Sequence, residues 1–142
     1  MEKVRKKDNI MTKPIYENVT YNTLEEIKRE ISNSDVKNVC NHMAGAGMSC
    51  DDLDGLFELI NLCLKHDEPW IRNAGFIALY HLNVRFKDKL NSRILVKILG
   101  VGLSDNSDIV LGTVNDIIDD LNVFAPEVAK EIINERKGRT QM

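Results

Sequence analysis

The sequence predicts an all-α fold of about seven helices in antiparallel pairs. Three observations carry that prediction. Proline and glycine are scarce, at three and eight of 142 residues, and Leu, Ile, Lys, Glu and Asp dominate, which favours helices over strands and turns. At 43% hydrophobic residues the chain can bury one sizeable core. Apolar residues recur every three or four positions behind residues suited to start helices.

The elements follow in order. "TLEE" at 23–26 sets Thr23 and Glu26 at capping-box spacing, ahead of Leu24, Ile27 and Ile31. Ser34 begins a second helix with Val36, Val39, Cys40 and Met43 on one stripe, and Gly45 is placed to end it in a left-handed conformation. Ser49 and Asp52 repeat the capping spacing before Leu53, Leu56, Phe57, Ile60 and Leu64. Asp67 caps the fourth helix, and Pro69 sits in its first turn, where a missing amide hydrogen costs nothing. Ile71, Ala74, Ala78, Leu79 and Leu82 are its inward stripe.

After a polar link, residues 90–103 bring Leu90, Ile94, Ile98 and Leu99 to one side. Asn106 opens the sixth helix, with Val110, Val114, Ile117, Ile118 and Leu121 facing in. Pro126 starts the last one; Arg136 and Lys137 complement its negative end and Gly138 stops it. The expected organisation is an N-terminal tail at 1–22, partly ordered, one helical domain at 23–138 and a C-terminal tail at 139–142, with Met11 as an alternative start.

Charge narrows the function. The net charge of -3 conceals basic ends: residues 1–14 and 136–142 each carry +3, and the body between them carries -9. Phosphate neutralisation supplies most non-specific nucleic-acid affinity, so an acidic body disfavours direct nucleic-acid binding and suits a basic protein partner. The longest apolar-rich run, "ILVKILGVGL" at 94–103, is too short for a membrane span and contains Lys97. The first twenty residues lack a signal-peptide pattern, and three cysteines form no disulfide framework, so a cytoplasmic setting is expected.

Shifting the chain by 39 residues superimposes Leu64 on Leu103, Asp67 on Asn106, Ile71 on Val110, Leu79 on Ile118 and Leu82 on Leu121. Such a period suits stacked helix pairs. "LKHDEPWIRNAGFIAL" at 64–79 resembles the core of a HEAT repeat: leucine, lysine, an Asp/Pro-rich turn, a Val-Arg-like pair, alanines and a leucine. "LSDNSDIVLGTVNDII" at 103–118 matches more weakly, and the likeness spans roughly residues 51–122. The resemblance implies a short HEAT-like α-solenoid, capped by a shortened first pair at 23–44. In that family a turn aspartate pairs with the arginine of an adjacent repeat. Here Arg72 survives beside His66, and Asp105 survives where Leu111 replaces the arginine, so an Arg72 to Asp105 inter-repeat contact is expected.

No catalytic constellation emerges. Cys40-x-His42, Cys63-x-x-His66 and His81 contain zinc-ligand types, but Cys40 and Cys63 fall on apolar stripes, where free cysteine is a small hydrophobe. "AGAG" at 44–47 lacks the Gly-Lys-Ser/Thr ending of a phosphate loop. "CDDLDG" at 50–55 puts Cys50 and Asn61 where a calcium loop needs carboxylates. No metal or cofactor is expected.

Asp116, Asp119 and Asp120 lie away from the apolar stripe of their helix, and second helices of HEAT-like pairs generally line a concave binding surface. They are the expected partner-binding patch, with Asp51 and Asp52 adding to the field and Trp70 and Tyr80 as aromatic anchors or inter-repeat packing. By size, charge and helical type the chain is similar to bacterial immunity proteins, including those of contact-dependent growth inhibition. That resemblance implies a monomer that forms a heterodimer with a basic toxin domain, a nuclease, and covers its active site. A HEAT-like scaffold or regulatory subunit is the alternative; an enzyme comes third, since HEAT-like DNA glycosylases need a basic nucleic-acid groove that this acidic body does not offer.

Overall fold

A computed structural model of the chain describes residues 20–86 and 92–141. Over that span it holds seven helices and no strand. They are α1 (Leu24–Ser32), α2 (Val36–Ser49), α3 (Leu53–Leu64), α4 (Pro69–Arg85), α5 (Ser92–Gly102), α6 (Asp108–Phe124) and α7 (Pro126–Gln141). Met11, Leu90 and the tail at 1–19 lie outside the described residues, as do the side chains of Arg136 and Lys137.

Each start is chemically explicit. Thr23 caps α1, its hydroxyl accepting the Glu26 amide at 3.1 Å. Glu26 does not close the box; its carboxylate takes the Asn22 amide instead, at 3.2 Å. Asp52 caps α3 by accepting the Gly55 amide at 3.1 Å, while Ser49 belongs to the end of α2 and bonds back to the Gly45 carbonyl. Three further starts fall one residue after the position expected. Asp35, Glu68 and Ser107 supply the capping oxygens in place of Ser34, Asp67 and Asn106. In each pair both residues can cap, and the helix chooses the one whose side chain reaches the open amides.

Ser34 instead closes α1. Its φ of 55° is left-handed, and Asp35 and Ser34 donate to the carbonyls of Glu30 and Ile31, the double bond pattern of a Schellman stop. Glycine is the usual occupant of such a position.

Gly45 does not stop α2, which runs on to Ser49. Among the described residues no glycine has a positive φ. The small residues of 44–47 serve close packing instead. A methyl on Gly47 would stand 2.9 Å from the Ala78 Cα and 3.0 Å from its carbonyl oxygen on α4, and one on Gly45 would stand 2.8 Å from the Thr20 backbone. Residues 20–22 thus cross α2 rather than trail away, and Tyr21 packs on the core. Gly138 does not stop α7 either, since that helix continues to Gln141.

α4 is the hub, packed on α2, α3 and α6. Trp70, Ile71, Asn73, Ala74, Gly75, Phe76, Ala78, Leu79 and Leu82 are all buried, which explains why this stretch reads as apolar almost all round. The other contacts join α1 to α2 and α3, α5 to α6 and α7, and α6 to α7. α5 departs from its expected stripe: Leu95, Val96 and Leu99 are buried, whereas Ile94 is 47% exposed. Six apolar residues between 94 and 101 offer several overlapping stripes, and the one rotated toward α6 and α7 is buried.

Candidate functional site

α6 sets the geometry. Val110, Val114, Ile117, Ile118 and Leu121 are buried, so the helical period turns Asp116, Asp119 and Asp120 outward. On α4, Ile77 and Tyr80 face the same side, half-buried. Ile77, Tyr80, Thr113, Asp116, Ile117 and Asp120 line a groove of about 260 Å³ between the two helices. Asp119 is exposed beside it but is not part of its wall.

The Asp120 side chain as a hydrogen-bonding neighbour, then burial and the negative charge of that carboxylate, push the Tyr80 phenol above its ordinary value. The ring lies edge-on to His81, with centroids 5.6 Å apart. None of Asp116, Asp119 and Asp120 is ion-paired with a described basic residue. Asp116 and Asp120 stand one turn apart on the same helix, a like-charge arrangement that costs roughly 0.2–0.5 kcal/mol. Over an apolar floor, two such carboxylates can hold a lysine or arginine head while its aliphatic stem lies on Ile77 and Ile117.

The other expected partner residues are not brought to this groove. Trp70 is only 9% exposed and packs in the core, so it is no surface anchor. Its carbonyl accepts the Cys40 thiol at 3.6 Å. Asp52 is spent on its cap, and the Asp51 carboxylate, 90% exposed, meets Arg85 at 3.4 Å. Neither lines the groove.

Arg72 and Asp105 do meet. Arg72 Nε donates to Oδ2 at 2.9 Å and Nη2 to Oδ1 at 3.0 Å, with both side chains largely buried. Nη1 also donates to the carbonyls of His66 and Asp67, each at 2.9 Å. Burial pushes the Asp105 carboxyl up, but the Arg72 hydrogen bond, the Ser107 amide and the Arg72 charge outweigh it and hold the group below the usual carboxylate range.

Three positioning residues escaped the sequence reading. His66 Nδ1 accepts the Glu68 amide at 2.9 Å, so Nε2 carries the proton and donates to the Ile31 carbonyl at 3.2 Å, with the Ser34 hydroxyl at the same distance. His66 and Arg72 therefore link the turns after α1, α3 and α5 in one chain of hydrogen bonds. Arg85 spans α4 and the end of α2, donating to the Gly47 and Cys50 carbonyls while stacking 4.6 Å over Phe86. His42 Nδ1 meets both oxygens of Glu30, at 2.8 and 3.0 Å. A lone histidine or arginine, whether in a turn like His66 or on a helix like His42 and Arg85, carries no spacing signal that distinguishes such a role.

The cysteines are buried. Burial, with a smaller contribution from Cys40, raises the Cys63 thiol to about 12, the reverse of a nucleophile's setting. Among the described residues no three metal-ligating side chains converge. No helix there is long and apolar enough to cross a membrane.

No protein-family model, curated protein or solved structure matches the chain.

Proposed function

We propose that the chain is an immunity protein: it binds a basic toxin domain, a nuclease, and neutralises it by covering the active site. The single observation that carries the reading is the α4–α6 groove, whose Asp116 and Asp120 face solvent with no basic partner among the described residues. Two like-charged carboxylates one turn apart cost about 0.2–0.5 kcal/mol, a cost that a positively charged ligand would remove. Negative potential at such a surface also accelerates encounter, toward roughly 10⁸ to 10⁹ per molar per second, and toxin control rewards fast capture.

In this reading the helices form a short HEAT-like solenoid in antiparallel pairs. Contacts of α2 with α4 and of α4 with α6 support one layer, and contacts of α1 with α3 and of α5 with α7 support the other. The turn-to-turn links through His66 and Arg72 support the same stacking. The protein acts in the cytoplasm as a monomer that becomes a heterodimer with its toxin. No nucleic acid and no cofactor takes part.

The test is affinity capture from the native host with mass spectrometry, followed by co-expression of the captured domain. A basic domain from a large exported protein, toxic alone and harmless beside this chain, is the expected result. Capture of an acidic, non-toxic partner overturns the proposal.

A further inference from the structure

A second surface carries the opposite charge. α3 and α5 are not among the packed helix pairs, although α1 packs on α3 and α5 on α7. The cleft between them encloses about 400 Å³. Its floor is Phe76 and Gly102, its apolar walls are Leu64, Ile98 and Val101, and its rim carries Lys65, which caps the end of α3, and Lys97 on α5.

Both lysines are exposed, and neither has a partner among the described residues. Asp105 borders the cleft, but its carboxylate is committed to Arg72. Along α5 the cleft opens onto a stripe of Ile94, Ile98 and Val101, at helical spacing, with Ile94 47% and Val101 57% exposed. Ile94 is the residue whose pattern promised burial and which the fold leaves uncovered. A stripe two turns long beside the cleft matches an elongated occupant better than a compact one.

We propose that the α3–α5 cleft docks an acidic amphipathic segment of a partner protein. Its apolar side chains rest on Phe76, Ile98 and Val101, and its carboxylates meet Lys65 and Lys97. Charge complementarity selects this occupant: two free ammonium groups flank an apolar floor in an otherwise acidic body. The surface is walled by α3 and α5 rather than α6, sharing with the aspartate groove only α4, through its floor residue Phe76, and it does not depend on the toxin reading.

The test is an amide NMR titration of the whole chain with two synthetic peptides. One has leucines at helical spacing and glutamates elsewhere; its twin carries lysines in place of glutamates. Binding of the acidic peptide with shifts concentrated at 61–65 and 94–102 is the expected result. Lys65→Glu with Lys97→Glu then weakens it by about tenfold or more, and Val101→Asp, at an exposed position, does so with an unchanged circular dichroism spectrum. No binding of the acidic peptide, equal binding of the twin, or shifts concentrated at 77–80 and 113–120 overturns the proposal. Displacement of the acidic peptide by dodecanoate at lower concentration than the peptide itself requires points to a small carboxylate, and concentration-dependent shifts of the same amides without peptide point to a second copy; either overturns it as well.

Discussion

Replacing Arg72 with methionine removes both bonds to Asp105 and the two to the carbonyls of His66 and Asp67. The stem volume is largely kept, so the loss is electrostatic. Breaking a buried pair by deleting one partner costs about 3–5 kcal/mol. The Arg72 and Asp105 side chains retain 14% and 13% exposure, and Asp105 keeps the Ser107 amide at 2.9 Å, so the lower end applies, about 3 kcal/mol. Urea unfolding followed by circular dichroism measures it, as a lower midpoint with an unchanged slope. A cycle with Asp105→Asn isolates the pair, with a coupling of about 2 kcal/mol expected. Acid gives an independent check. The Asp105 pKa is depressed on folding, so its stabilisation is complete above the unfolded value near 3.9 and disappears as pH falls through the folded one. The gap between wild type and Arg72→Met must therefore narrow below about pH 4. A loss under about 1 kcal/mol, or zero coupling, refutes the clamp.

Further outcomes follow from other sites. Gly47→Ala forces a methyl against the Ala78 backbone and destabilises by about 1–3 kcal/mol, whereas Gly112→Ala, with nothing within 4 Å, stabilises by about 0.5–1 kcal/mol; thermal unfolding distinguishes the two signs. Burial, with the charge of Arg85, lowers the His81 pKa, so the unfolded chain binds the extra proton first and stability falls as pH drops below about 6.5. His81→Gln flattens that slope in unfolding curves taken across the range. Cys63, raised to about 12 and buried, resists iodoacetamide at neutral pH and is alkylated only under denaturant, as peptide mapping by mass spectrometry will read.

Much of the architecture was legible because its signals are local. Thr23 and Pro69 announce helix starts through amides that must be satisfied or can be spared, and both stand where the pattern put them. The contact of Arg72 with Asp105 was legible through the resemblance of residues 64–79 and 103–118 to a repeat. What failed depended on tertiary context. A glycine that ends a helix and one that lets two helices touch look the same in a sequence, and Gly45 and Gly47 are of the second kind. Adjacent capping residues differ only in reach, hence the one-residue displacements at Asp35, Glu68 and Ser107. Ile94 was misplaced because only the position of α7 and α6 decides which stripe of α5 is covered. At the groove, the outward turn of Asp116 and Asp120 followed from periodicity, but the placing of Tyr80 beside Asp120 needed the crossing of α4 with α6.

The role proposed for the α6 carboxylates is capture of a positively charged partner. Stopped-flow association of the captured toxin domain with wild type and with Asp116→Lys, Asp119→Lys, Asp120→Lys, across ionic strength, tests it most directly. The wild-type rate is expected to fall steeply with salt, and the variant to keep its helical spectrum but associate at least about tenfold more slowly at low salt. Equal rates for the two proteins at low salt contradict it.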